Sequence, residues 1–168
     1  MHGPISFGQT DFLRALMNDY LLRLIAHMRW ADHIVADALE ADPSPDPEAV
    51  RVFAHIASVE HVWYSRILGR RPDHAVWPQL SPPQSRALAA EHADLFERLV
   101  RDDDPESLAR VIDYRNSAGR SYQNSVSDIV IHTALHGEHH RGQIARLLRA
   151  AGREAPYTDY IEYARRDQ

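Results

Sequence analysis

His136 and His140 stand four residues apart in the stretch 125–152, which reads SVSDIVIHTALHGEHHRGQIARLLRAAG. Residues at i and i+4 of a helix lie one turn apart on the same side, so the two imidazoles have chelating geometry. A third histidine, His55, sits in the apolar stripe of a different helical segment, Val52, His55/Ile56, Val59, Val62/Trp63, Ile67. Three protein ligands leave positions open for water or substrate, as catalytic sites require and closed structural sites do not. An all-imidazole set suits zinc, nickel, copper or iron, and not magnesium or calcium. One buried histidine is ordinarily a hydrogen-bonded packing group. Three on converging inward stripes call for a partner, because burying imidazoles without one costs free energy.

The spacing leaves the pair itself open. The stripe Ile129, His132, His136, His140, Gln143/Ile144, Leu147 advances by three or four residues and is expected to face the core, so His132 competes for a place beside His136. His139 points roughly 60° away from His136 and belongs to the edge of the site or outside it. His61 falls on the far side of its helix from His55, a surface or interface position. His27 and His33, in the first helical segment, are expected to be solvated or packing groups. Trp30, Trp63 and Trp77 read as core or interface anchors. Three familiar patterns do not match. A metalloprotease H-E-x-x-H needs Glu where Gly137 stands, and Glu138 points away from the His136 face. No Glu has His three residues later, which di-iron bundles require. No G-x-S-x-G elbow occurs. No catalytic acid or base can be assigned.

The elements that must position these side chains are helical. A long apolar pattern, Leu13, Leu16/Met17, Tyr20, Leu24, Met28, Ala31, Ile34/Val35, Ala38, predicts a first helix over about 10–40, capped by Thr10 or Asp11 after a loose lead-in over 1–8. Prolines at 43, 45 and 47 make 41–47 a connector, with Asp46 as N-cap and Pro47 as first residue of the second helix, which stops at Gly69. Ser81-Pro82-Pro83-Gln84 is a capping box that opens a third helix to about Val100, ended by the acidic stretch 101–105. Val111, Ile112, Tyr114 and Tyr122 flank Asn116-Ser117-Ala118-Gly119, as in a small hairpin. Ser125 with Asp128 caps the fourth helix, and Gly152 stops it. Residues 157–163 predict a short helix or ordered tail. The fold class is all-α, a four-helix bundle with a short extended excursion before the fourth helix.

Composition bounds the rest. At 168 residues one domain over 1–168 with a sizeable core is expected. A net charge of −5, with basic residues dispersed apart from Arg165-Arg166, argues against a nucleic-acid binder. No apolar run reaches the ~20 residues that span a bilayer, and Asp11, Arg14 and Asp19 break any N-terminal leader pattern. There is no cysteine, which removes thiolate ligands and nucleophiles and fits a reducing compartment; a cytoplasmic protein is expected.

The string His136-Gly-Glu-His-His140-Arg-Gly-Gln143 resembles the fourth-helix H-x-x-x-H-R-G-Q pattern of the DinB family of bacterial damage-inducible and related proteins. Phe53-Ala54-His55-Ile56 with Glu60, Trp63 and Leu68-Gly69 is similar to that family's second helix. Trp30-Ala31 and the tail Asp159-Tyr160-Ile161 also match, so the resemblance covers essentially the whole chain. It implies a four-helix bundle, often dimeric, whose metal ligands fall on His55, His136 and His140. It thereby prefers His140 to His132, which spacing leaves open. It implies zinc or nickel with water at the remaining positions. Arg141 and Gln143 would support the site or helix packing, and Gly142 would allow close approach of another helix. Relatives in the wider superfamily use low-molecular-weight thiols or are regarded as metal-dependent hydrolases. The expectation is therefore a metal-dependent thiol transferase or hydrolase acting on a small molecule, a homodimer. The alternative is a non-enzymatic metal- or ligand-binding stress-related protein.

Overall fold

The computed structural model describes residues 7–102, 105–116 and 118–166. Its elements are α1 (Phe7–Glu40), α2 (Pro47–Ile67), α3 (Pro82–Asp102), α4 (Pro105–Ala109), β1 (Val111–Arg115), β2 (Ser121–Ser125), α5 (Val126–Ala150) and α6 (Tyr160–Arg165). The four long helices form the expected bundle. Going round it, α1 packs on α3, α3 on α2, α2 on α5 and α5 on α1. Thus α1 and α2 sit diagonally, as do α3 and α5, and the chain needs α4 and the hairpin to cross from α3 to α5.

Local chemistry sets most boundaries. The Asp46 carboxylate accepts from the amides of Glu48 and Ala49 at 2.8 and 2.9 Å, ahead of Pro47. The Ser81 amide donates to the Gln84 side chain at 2.9 Å. Ser125 Oγ accepts from the Asp128 amide at 3.1 Å. Gly69 and Gly152 end α2 and α5 with φ of 64° and 70°, a region glycine enters without Cβ strain. The antiparallel hairpin sets Tyr114 opposite Tyr122, and the Asn116 side chain accepts from the amides of Ala118 and Arg120 in its turn.

Several expectations need correction. Residues 1–6 of the expected lead-in and 103–104 of the acidic stretch lie outside the described residues. Phe7 and Gly8 already belong to α1, so Thr10 and Asp11 lie within the helix and do not cap it. The third helix runs on to Asp102, and α4 follows. In α1 the buried stripe is Leu21, Ile25, Met28, Ala31/Asp32, Val35/Ala36, Leu39, while Leu16, Met17 and Tyr20 are exposed. Helical spacing fits either set, and burial against Phe96 and Val100 of α3 selects the first.

The core lies in two apolar clusters along the bundle. One gathers Leu21, Ile25 and Met28 with Phe96, Val100, Ile129 and Val130; the other gathers Val35, Leu39, Val52, Phe53, Ile56, Ile144 and Leu148. Between them lies a polar layer of Asp32 from α1, Glu60 from α2 and Arg141 from α5, none more than 4% exposed. This layer accounts for the rotation of α5 from its expected orientation. Its buried face is Val126, Ile129/Val130, Thr133/Ala134, Gly137, Arg141, Ile144/Ala145, Leu148, which keeps Ile129 and Ile144 of the expected stripe. Arg141 fills it, and Gly137 makes the space: a Cβ there would stand 2.7 Å from Arg141 Nη1. The histidines are thereby moved to the edge, with His136 and His140 half-buried and His132 exposed. Gly142 is exposed and a Cβ there would meet nothing, so it serves no close helix approach.

Candidate metal centre

Across the groove between α2 and α5, His55, His136 and His140 each offer one ring nitrogen, and these three atoms lie within 4.8 Å of one another. His55 Nδ1 donates to the Val76 carbonyl at 2.7 Å, which leaves its Nε2 unprotonated. His140 Nδ1 donates to Gln143 Oε1 at 3.0 Å, and the Gln143 amide in turn donates to His139 Nε2 at 3.0 Å. Both ligand tautomers are thus fixed by the far ring nitrogen, the usual outer support of a metal-binding imidazole. His140 Nε2 and His136 Nε2 face each other at 3.2 Å. Two such nitrogens need a proton or a cation between them.

Electrostatics keep the rings in their ligating form. Burial, then His140 and His55 beside it, pushes His136 down to about 3. Burial likewise lowers His55 and His140. All three are neutral at pH 7, as metal binding requires. Among the described residues no carboxylate joins the group. The donor set therefore fits a borderline transition ion with open positions and not a hard oxygen-seeking one.

Trp77 lies on the loop between α2 and α3. Its ring stacks on His55 at 3.7 Å and 9°, and the Arg51 guanidinium also lies over that ring at 4.2 Å. Trp77, 45% exposed, is thus no core anchor but the outer wall of the site. Periodicity could not find it, because a loop residue has no helical register. The same loop is tied down by Ser58 Oγ, which donates to the Ala75 carbonyl at 2.5 Å.

Behind the histidines stands the polar layer. Arg141 Nη1 donates to Asp32 Oδ1 at 2.8 Å, and its Nε and Nη2 lie 3.2 Å from Glu138 Oε2. Neither Glu60 oxygen has a hydrogen bond of normal geometry. Burial, and then the charge of Asp32, raises the Glu60 carboxyl well above its ordinary range, which favours its neutral form. The layer thus holds one guanidinium against the Asp32 and Glu138 carboxylates. Sequence reading missed Asp32, and it named Glu60 only as part of the second-helix resemblance, without a buried role. The available signal was an acid at an inward position of an otherwise apolar stripe.

Among the described residues the other histidines do not join the site. His132 packs edge-on to Trp63 at 5.0 Å, with its ring 5.6 Å from His136. His27 donates from Nε2 to the Thr158 carbonyl at 2.7 Å and packs on Tyr160 and Tyr163, a packing role that docks the tail. His33 lies on the surface beside Arg86 and Asp37. His61 is half-buried, its Nδ1 donating to His92 Nε2 at 3.1 Å and its Nε2 accepting from the Asp73 amide at 3.0 Å. Arg166 stands over Trp30 at 5.2 Å. No helix among the described residues is long and apolar enough to cross a membrane.

Residues 17–168 match the family model described as the DinB family. The chain is also similar to Protein DinB of Bacillus subtilis (strain 168), at 26% identity over 163 residues covering 88% of this chain and 95% of that relative.

Proposed function

The chain belongs to the DinB family, and from that membership we propose that it is a metal-dependent enzyme of the thiol-transferase or hydrolase kind acting on a small molecule. One observation carries the reading: three neutral imidazoles converge on one point, two of them with fixed tautomers, and among the described residues no fourth side chain closes the set. His55, His136 and His140 would hold the ion; three imidazoles suit zinc, nickel, copper or iron, and of these the family resemblance favours zinc or nickel. Such an ion, when bound, supplies a Lewis acid that lowers the pKa of a coordinated thiol or water. The chain's own contribution is placement. Val76 and Gln143 aim the rings, Trp77 shields His55, and the Asp32–Arg141 pair holds α5 against α1. A non-enzymatic metal- or ligand-binding role is the second reading, favoured by the absence of an acid or base within the His55, His136 and His140 group.

The same proposal includes a homodimer. Phe12, Leu16, Met17 and Tyr20 of α1 are 66%, 40%, 53% and 56% exposed, an apolar strip that a second copy would cover.

The test is metal analysis of the purified protein, followed by a screen of low-molecular-weight thiols against electrophiles and of water against ester and amide substrates. Turnover that requires added metal and is lost in His140→Ala supports the enzyme. Stoichiometric metal with no turnover of any pair favours the binding protein.

A further inference from the structure

Beside the histidines lies a cavity of about 660 Å3 between the 69–76 loop and the hairpin, and four arginines line it: Arg66, Arg70, Arg71 and Arg115. The chain carries a net charge of −5, so a concentration of positive charge is against its general character. Six arginines elsewhere, Arg29, Arg51, Arg86, Arg101, Arg141 and Arg153, each meet a carboxylate, and others such as Arg98 and Arg149 meet none among the described residues, so what marks the cavity is the gathering of four arginines in one place. None of the four lining arginines has a carboxylate within ion-pair distance among the described residues. The lining acids are Asp73 and Asp113, and Asp113 accepts from Gln123 at 2.8 Å. Unmatched guanidiniums around a concave site focus a positive potential and attract anions.

The cavity is joined to the histidines in two ways. Val76 lines it, and the Val76 carbonyl accepts the His55 proton. On the other side a wall of rings runs from the cavity toward His136: Tyr114 lies 5.0 Å from Trp63, Trp63 5.0 Å from His132, and His132 5.6 Å from His136. Arg66 is held at the cavity end of that wall, its guanidinium 4.4 Å over Trp63 and 5.1 Å over Tyr114. Held there, it is placed in advance for a carboxylate or phosphate.

We propose that this cavity is an anion subsite, which takes the negatively charged end of a small molecule bearing two or more carboxylate or phosphate charges while its reactive end lies along the ring wall toward the three histidines. The subsite rests on the proposed enzymatic reading only for that second part; the anion contact stands on the arginines alone.

Calorimetric titration with inorganic phosphate and with succinate tests it. Wild-type protein binds at least one of the two; phosphate alone assigns a phosphate ester, succinate alone a carboxylate. The double variant Arg70→Ala/Arg115→Ala, which removes two exposed charges, weakens binding at least tenfold, equivalent to about 1.4 kcal/mol. Arg98→Ala/Arg149→Ala removes the same charge elsewhere and leaves binding unchanged. His140→Ala also leaves it unchanged while losing metal, so failure of the metal reading and failure of the subsite give different results. No binding of either anion to wild type, equal weakening in the two double variants, or loss in His140→Ala each overturns the subsite.

Discussion

His140 and Arg141 are neighbours in the chain with opposite tasks, and the contrast was only half legible in the sequence. The histidines could be read because i and i+4 spacing fixes a shared side whatever surrounds it. Arg141 could not, since a charged residue on a helix reads by default as solvated, and only Gly137, Asp32 and Glu138 on other turns and helices make its burial tolerable. Four substitutions test this level. Gln143→Ala removes the acceptor that sets His140, and metal affinity falls about 10–100-fold by competition titration. Gly137→Ala drives a methyl into the pinned guanidinium and destabilises by about 1–3 kcal/mol in chemical denaturation, whereas Gly142→Ala, facing open space in a helix, stabilises by about 0.5–1 kcal/mol. Glu60→Gln replaces a titratable carboxyl by an amide of the same shape. A carboxyl raised in the fold contributes stability that is full below its unfolded value of 4.5 and is lost as pH rises toward its folded value. Glutamine does not titrate, so the melting temperature of the variant gains on wild type from pH 5 to pH 8. A gap that stays constant would show that Glu60 is ionised in the fold.

At the scale of elements, caps and stops were the most legible features, because Asp46, Ser81, Ser125, Gly69 and Gly152 act through their own few neighbours. The diagonal order of the helices was not, since it depends on what packs on what. Nor was α4, whose five residues lack a helical repeat. The 69–80 loop belongs here too, since no periodicity describes it although it supplies Trp77 and the Val76 carbonyl. It is fastened at a third point by the Asp73 amide on His61 Nε2, and burial lowers His61 below its ordinary value of 6.5. A histidine lowered in the fold contributes stability that is full above the unfolded value and is lost as pH falls below it. Protonation of His61 also removes the acceptor. Amide exchange at Asp73, expressed as a protection factor, therefore drops between pH 7.5 and 5.5, while amides within α5 hold theirs. Equal loss in both places would mean global unfolding instead.

For the whole molecule, the bundle divides its labour along its length. Two apolar clusters supply the burial that stabilises it, and the polar layer between them ties α1 and α5 together behind the histidine face. The exposed strip at the start of α1 gives the dimer a direct check. Light scattering shows twice the chain mass, and Phe12→Glu with Met17→Glu reduces it to one; a wild-type monomer contradicts the proposal. The central claim is that three imidazoles hold one transition ion. Its most direct measurement is the metal content of purified protein together with its melting temperature against added zinc or nickel. The account predicts one ion per chain and a stability gain of ~4 kcal/mol at about 1,000 times the dissociation constant, both lost in His55→Ala and His140→Ala and kept in His132→Ala. Metal below stoichiometry, or a gain that survives His140→Ala, would contradict it.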